Sequence, residues 1–155
     1  MRIKRYFLVL VALIAFTLQS FAQEGTTGIQ FFQGTFNEAL VKAKQENKVL
    51  FVDFYAVWCV PCKKMAKTVF TQEEVGKFFN EHFVSIQLDA EKGDNVNIAK
   101  NYKVVAYPTV AFISPDGKAI SVNTGAMNKD ELLDAAKIAA GQSISFEALY
   151  EKYKA

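Results

Sequence analysis

The chain has 155 residues with 18 basic and 16 acidic side chains, and three of the basic ones lie within the first six positions. Without those three, 15 basic residues stand against 16 acidic ones, so the charge gives no support for nucleic-acid binding. Only two cysteines and one histidine are present, too few for the roughly four protein ligands of a structural zinc site.

The first 22 residues have the three parts of a secretory signal peptide. A basic start precedes the apolar block Phe7–Leu18, and small residues stand near the end of the segment, at Ser20 and Ala22. The block has 12 residues, whereas a membrane span needs about 20, so an uncleaved anchor is the less favoured alternative. We therefore expect export, cleavage after Ala22 and a single domain over residues 23–155 that is not stably inserted in a membrane.

The first elements of the exported chain are predicted by their capping and turn residues. A short strand is expected at Ile29–Phe32. Thr35 and Glu38 have the spacing of a capping box, which predicts a helix over Phe36–Glu46 that ends at Asn47.

The run Val49–Tyr55 predicts a strand that is buried on both faces, because neither alternating set of positions is polar except at Asp53. Such a strand lies inside a parallel or mixed sheet that helices cover on both sides. A carboxylate buried between apolar layers is costly unless it is neutral or paired, so we expect the pKa of Asp53 to be raised. Asp53 then either reaches water through a gap or accepts a proton in a reaction.

Two cysteines follow this strand, as Cys59-Val60-Pro61-Cys62, at the start of a predicted helix. Pro61 fits the first helical turn, where its missing N–H leaves no hydrogen bond unmade. A helix N-terminus favours an anion, so we expect Cys59 to be the exposed, acidic thiol and Cys62 the shielded one within disulfide reach. A bridge over two intervening residues constrains the unfolded chain little, which favours a reversible redox centre over a structural crosslink.

The second half of the chain alternates helices and strands. Thr71 and Glu74 are expected to cap a helix that runs to about Glu81, with His82 exposed at its end. The later predicted elements are, in chain order, a strand at Phe83–Leu88, a helix at Asn95–Asn101, a strand at Thr109–Ser114, a turn at Pro115–Gly117, a strand at Ala119–Asn123, a helix from Asn128 to Ala140 and an extra amphipathic helix within residues 143–155.

Two of these segments together resemble the thioredoxin superfamily. The segment Phe51–Met65 reads FVDFYAVWCVPCKKM, and the segment Tyr102–Lys118 carries a Pro-Thr pair at the head of a strand. The nearer likeness is to periplasmic thioredoxin-like domains such as the C-terminal domain of DsbD-type reductases, and it extends from about Phe31 to Gly141. This resemblance implies an α/β, thioredoxin-like sandwich of three layers, with a central mixed sheet of four to five strands and helices on both faces.

The resemblance also implies catalytic roles. Cys59 and Cys62 would form the redox-active disulfide, with Cys59 attacking a substrate disulfide and Cys62 resolving the mixed disulfide. Asp53 would take up the proton of Cys62. Many thioredoxins carry a lysine near this aspartate, but the matching residue here is Ser85, so we expect Asp53 to lack a positive partner and to be easier to protonate.

Three further residues match substrate-contacting positions of the family. Trp58 would form a flat, partly exposed wall beside Cys59. Pro108 would be a cis proline lying against the cysteines, and the preceding Tyr107 would offer backbone hydrogen bonds to an extended substrate.

The predicted function is thiol–disulfide exchange outside the cytoplasm, in a bacterial periplasm. Disulfide-containing client proteins would be the substrates, and a membrane or envelope protein the electron donor. Pro61 matches thioredoxin-type reductants, which favours reduction, although oxidase and isomerase activities stay open. The cysteine pair is itself the redox group, so no metal or other cofactor is implied, and we expect a monomer. The alternative is a binding or chaperone module of the cell envelope that keeps the fold without turnover.

Overall fold

The computed structural model describes residues 27–141. The predicted signal peptide and the predicted helix within residues 143–155 lie outside the described residues. The elements of the described part are, in chain order, α1 (Phe36–Glu46), β1 (Val49–Tyr55), α2 (Val60–Thr68), α3 (Glu73–His82), β2 (Phe83–Asp89), α4 (Asn95–Asn101), β3 (Thr109–Ile113), β4 (Ala119–Thr124) and α5 (Lys129–Ala139).

The four strands form one mixed sheet in the order β2-β1-β3-β4. β1 pairs with β2 in parallel and with β3 in antiparallel orientation, and β3 and β4 form an antiparallel hairpin. The predicted α/β, thioredoxin-like architecture is therefore confirmed. β1 lies inside the sheet because its side chains are apolar on both faces, as the sequence required.

Each face of the sheet is covered by helices, and the alternation along β1 assigns its side chains to the two sides. Leu50, Val52 and Phe54 pack in a cluster with residues of α1 and α4. Phe51 packs on the opposite face with residues of α2, α3 and α5. Asp53 has the parity of Phe51, so its carboxyl lies on the face that α2 covers.

Two local predictions are wrong. The expected strand at Ile29–Phe32 is reduced to one bridge, between Phe31 and Ser85, because the Ile29 N–H bonds instead to the carbonyl of Phe70. The expected capping box at Thr71 and Glu74 does not form, because the Thr71 hydroxyl donates to the Lys67 carbonyl and so completes the end of α2. The N-cap of α3 is Gln72, which makes no side-chain capping bond.

The other predicted boundaries agree with the structure to within one or two residues. The capping box of α1 is confirmed, with the Glu38 N–H donating to the Thr35 hydroxyl, and Asn47 ends this helix in the left-handed region at φ 50°. Among residues 27–141, no helix combines the length and the apolar character that a membrane crossing requires.

Candidate active site

The two cysteines lie where β1 delivers the chain to α2. Cys59 is the N-cap of α2, and its backbone N–H donates to the Ala56 carbonyl over 3.0 Å. Pro61 occupies the first turn of the helix, as expected. Cys59 and Cys62 form a disulfide with their Cα atoms 5.3 Å apart.

The start of α2 favours negative charge at Cys59. The Cys62 backbone N–H donates to the Cys59 Sγ atom at 3.2 Å, which is a side-chain cap made by sulfur. The first turn of α2 contains no acidic residue that would oppose an anion there. Backbone N–H groups at a helix N-terminus stabilise a thiolate, so the reduced Cys59 sits where its ionised form is preferred.

Burial does not distinguish the two cysteines in the disulfide form. Cys59 is 2% exposed and Cys62 is 6% exposed there, and the expectation of an exposed Cys59 thiol beside a shielded Cys62 thiol, which concerns the reduced protein, stays a prediction. Tyr55 and Tyr107 are partly buried and pack against the cluster that both cysteines form with Ala56. The helix-end electric field therefore distinguishes the two sulfurs more than exposure does.

Asp53 is buried, with 2% of its surface exposed. Burial raises the pKa of its carboxyl to about 6, and a hydrogen bond from Gln87 opposes that rise. The expected raised pKa is therefore confirmed. The Gln87 Nε2–H donates to Asp53 Oδ2 at 2.9 Å, whereas Asp53 Oδ1 has no hydrogen-bond partner among the described residues.

A cavity of about 280 Å³ joins this carboxyl to the second cysteine. Asp53 from β1, Gln87 from β2 and Cys62 from α2 all line it, and Lys63 lies at the same wall. A buried carboxyl with a pKa near neutrality can accept a proton from a thiol that shares its cavity. The arrangement therefore brings Asp53 and Cys62 to the wall of one cavity.

A second, larger cavity of about 710 Å³ lies on the other side of α2. Pro61 and Met65 line it from the helix, and Met127 lines it from the loop that precedes α5. Neither Asp53 nor Cys62 contributes to its wall. Asp53 and Cys62 therefore meet only the smaller of these two cavities.

Trp58 and Tyr107 meet next to the cluster that holds the disulfide, and Pro108 follows Tyr107 in the chain. Trp58 is 64% exposed, and its Nε1–H donates to Glu91 Oε2 at 2.8 Å. Its ring meets that of Tyr107 edge-on, with 6.0 Å between the centroids. The peptide bond between Tyr107 and the buried Pro108 is cis, and the Gly125 N–H donates to the Pro108 carbonyl at 2.8 Å.

Exposed apolar side chains stand close to this group in the sequence. Val57, Val60 and Val105 are among the most exposed large hydrophobic residues of the described chain, together with Trp58. The first two flank Trp58 and Cys59 in the sequence, and Val105 lies two residues before Tyr107. Large apolar side chains exposed around a reactive centre are typical of a surface that contacts another molecule.

Sequence reasoning missed Gln87 and Glu91. It compared Asp53 with Ser85, but the register of the parallel pair places Asp53 opposite Gln87. Ser85 and Gln87 are two residues apart on the predicted strand, so their side chains share one face and the sequence allows either of them to face Asp53. Choosing between the two positions required the strand register, which only the tertiary structure supplies.

The described residues contain no group of three or more histidine, cysteine, aspartate or glutamate side chains that could hold a metal ion. His82 lies at the end of α3, and its ring stacks on that of Phe78 with 4.3 Å between the centroids. It therefore lies apart from the redox site, as a helix-end residue.

Residues 36–140 match the family described as thioredoxin-like domain, and the chain belongs to that family. Among solved structures, a proposed disulphide-isomerase from Bacteroides thetaiotaomicron shares 41% of its sequence with this chain at a TM-score of 0.67, covering 77% of this chain and 98% of that one. The oxidised C-terminal domain of DsbD from Neisseria meningitidis shares 27% at a TM-score of 0.59, covering 71% and 99%.

The curated relatives named DsbD are much longer than the matching region. The thiol:disulfide interchange protein DsbD of Pseudomonas fluorescens is 34% identical over 80 residues, which is 51% of this chain and 14% of that protein. The likeness is thus to one thioredoxin-like part of a larger protein.

Proposed function

We propose that this protein is an exported thiol–disulfide oxidoreductase that reduces disulfides in client proteins through Cys59 and Cys62. The observation that carries the proposal is the disulfide at the N-terminus of α2, with Asp53 and Cys62 lining one cavity. A structural crosslink would need neither the buried acid nor the helix-end position.

The reaction transfers two electrons from the cysteine pair to the client, whose two thiolates take up two protons, one matching the proton that Cys62 loses and one from solvent. The Cys59 thiolate attacks one sulfur of a client disulfide, and the other client sulfur leaves as a thiolate. Cys62 then gives its proton to Asp53, and its thiolate attacks the Cys59 sulfur. The bond between Cys59 and the client breaks, the Cys59–Cys62 disulfide forms, and the client leaves as a dithiol after taking up two protons.

The surface around the disulfide supports protein clients rather than small-molecule disulfides as substrates. The exposed Val57, Trp58, Val60 and Val105 offer apolar contact. Trp58 serves as the wall beside Cys59, and Tyr107 and Pro108 receive an extended segment of the client. Glu91 holds the Trp58 indole through its Nε1–H, so the wall is oriented before a client arrives.

The direction of the reaction follows from the residues between the cysteines. Val60 and Pro61 carry no charge that would further stabilise the Cys59 thiolate, so the disulfide is comparatively hard to reduce and the dithiol is a good reductant. Equilibration with glutathione should give a potential nearer to that of thioredoxin, about −270 mV, than to that of DsbA, about −120 mV. A value at the oxidising end would reverse the proposed direction.

Export places this exchange in a bacterial periplasm, with a membrane or envelope protein as the donor of electrons. The signal-like N-terminus and the likeness to DsbD, which is named for thiol:disulfide interchange, support this location. Intact-mass measurement of the envelope fraction should find a chain that starts at Gln23. A retained Met1 would contradict cleavage after Ala22.

Insulin reduction in the presence of dithiothreitol tests the function itself. The purified protein should precipitate insulin well ahead of dithiothreitol alone, and Cys59→Ser should abolish the difference. Ser85→Ala, which removes a buried hydroxyl away from the cysteines, serves as the control and should behave like the wild type. A folded wild-type protein that does not accelerate the reaction would favour the alternative of a binding or chaperone module without turnover.

A further inference from the structure

Gln87 is the residue of the neighbouring strand that contacts the Asp53 carboxyl. The parallel register of β1 and β2 places the two residues opposite each other, and their side chains meet at 2.9 Å between Nε2 and Oδ2. Both residues line the cavity of about 280 Å³, and Cys62 lines the same cavity. Gln87 is thus hydrogen-bonded to the acid that shares this cavity with Cys62.

The contact makes the two carboxyl oxygens unequal. Oδ2 is occupied by the amide of Gln87, whereas Oδ1 has no hydrogen-bond partner among the described residues. A buried negative charge is costly, and taking up a proton removes that charge from the carboxyl. The proton released by Cys62 is therefore best received at Oδ1, with the carboxyl held in place through Oδ2.

We propose that Gln87 is a positioning residue for the resolving step, holding Asp53 through Oδ2 so that Oδ1 accepts the Cys62 proton. The inference rests on the proposed exchange reaction. In this step Cys62 loses its proton to Asp53, the new Cys62–Cys59 bond forms, and the bond from Cys59 to the leaving thiolate breaks. Gln87 itself gains and loses nothing, because its amide only donates a hydrogen bond.

The Gln87 amide also affects the pH range in which Asp53 is ionised and can accept a proton. A hydrogen bond donated to a carboxylate favours the ionised form, so Gln87 offsets part of the effect of burial on the Asp53 pKa. The other titratable side chains lining the cavity are Tyr55 from β1 and Cys62 and Lys63 from α2. Loss of the amide should therefore keep Asp53 protonated up to a higher pH. The pH profile of the resolving step should shift to higher pH by the same amount.

Gln87→Met tests this with a side chain of similar length that cannot donate. The reduced protein is mixed with the model disulfide 5,5′-dithiobis(2-nitrobenzoate), and release of the second thionitrobenzoate, which reports attack by Cys62, is followed against pH. The midpoint of this profile should rise by about one pH unit in Gln87→Met. Ser85→Ala, two residues earlier on the same face of β2, should leave the midpoint unchanged.

Two further measurements keep the outcome clear. Carbon-13 NMR of the Asp53 carboxyl in the reduced protein should show the same rise of its pKa in Gln87→Met, and the spectrum reports whether the variant is folded. In an Asp53→Asn background, Gln87→Met should cause no further slowing of resolution. An unchanged midpoint in folded Gln87→Met, or additional slowing in the double variant, would overturn the positioning role.

The model disulfide separates this inference from the proposed function. If wild-type protein fails to reduce insulin but still shows the shift with 5,5′-dithiobis(2-nitrobenzoate), client reduction is wrong and the role of Gln87 stands. If insulin is reduced and the pH midpoint does not move, the function stands and the role of Gln87 is wrong.

Discussion

Two buried oxygens on one face of the sheet have no hydrogen-bond partner among the described residues, and they have very different surroundings. One is Asp53 Oδ1 on β1, and the other is the Ser85 hydroxyl on β2. Ser85 lies opposite the fully buried Phe51 and bridges to Phe31, while Asp53 lies opposite Gln87. Both residues are nearly inaccessible, at 2% and 3% exposure.

The two positions differ in chemistry because different side chains line the cavity next to each of them. Asp53 lies near the end of β1 that leads to α2, and it shares its cavity with Cys62. Ser85 lines a separate cavity of about 300 Å³, together with Lys42 and Lys48. A buried unpartnered oxygen is thus not enough to mark a functional site; it must also be ionisable and lie beside a group with which it can exchange a proton.

The largest effect is expected from removing the Cys62 thiol, which lines the same cavity as Asp53 and has no counterpart at Ser85. Cys62→Ala leaves no thiol to attack the mixed disulfide, so turnover should be lost and clients should stay bound to Cys59. Non-reducing electrophoresis of envelope extracts should show adducts that disappear on adding a thiol reductant. A variant that captures no client would support the binding-module alternative instead.

Asp53→Asn should have the next largest effect. The amide cannot take up a proton, so resolution should slow by a general-base factor of roughly 10² to 10⁴ while the first attack by Cys59 stays nearly unchanged. Single-turnover kinetics with a model disulfide separate the two steps. If the resolving step keeps its wild-type rate, Asp53 has no part in the mechanism.

The pH dependence of stability should differ between the two buried positions. The pKa of Asp53 is about 6 in the folded chain, above its ordinary value of 3.8, so between these values the folded state holds a proton that the unfolded state has released. The stabilising effect of that proton is complete below about pH 4 and is lost as the pH rises through about 6. Asp53→Asn should therefore gain about 3 kcal/mol relative to wild type over this interval.

Urea unfolding of the oxidised protein across that pH range measures this gain. Comparing the two proteins removes the contributions of the other carboxyl groups, which are common to both. A stability difference that does not change with pH would show that Asp53 keeps an ordinary pKa in the folded chain. Ser85→Ala should give such a flat difference, because a serine does not titrate.

The smallest effect is expected for Ser85→Ala. Its hydroxyl has no partner to lose among the described residues, so the free energy of unfolding should change by no more than about 1 kcal/mol, with either no loss or a slight gain. Insulin reduction should be unchanged. A marked loss of activity would mean that the Ser85 end of the sheet communicates with the cysteines after all.

The sequence by itself determined much of this protein, because the relevant signals are local or periodic. The apolar parity of Val49–Tyr55 predicted a central strand, and the capping residues of α1 located that helix. The position of Cys59 and Cys62 before a helix with Pro61 in its first turn indicated the redox site. The cost of a buried acid predicted the raised pKa of Asp53.

Other features depended on contacts that the sequence pattern does not reveal, several of them between segments far apart in the chain. The capping box expected at Thr71 was displaced because that hydroxyl completes the preceding helix, and the first strand shrank to a single bridge. Tyr107 packs against the cluster of the two cysteines, although the sequence places it 45 positions after Cys62. Gln87 became the partner of Asp53 through the register of two parallel strands, because a shift of two residues keeps every side chain on its face and leaves the hydrophobic pattern unchanged.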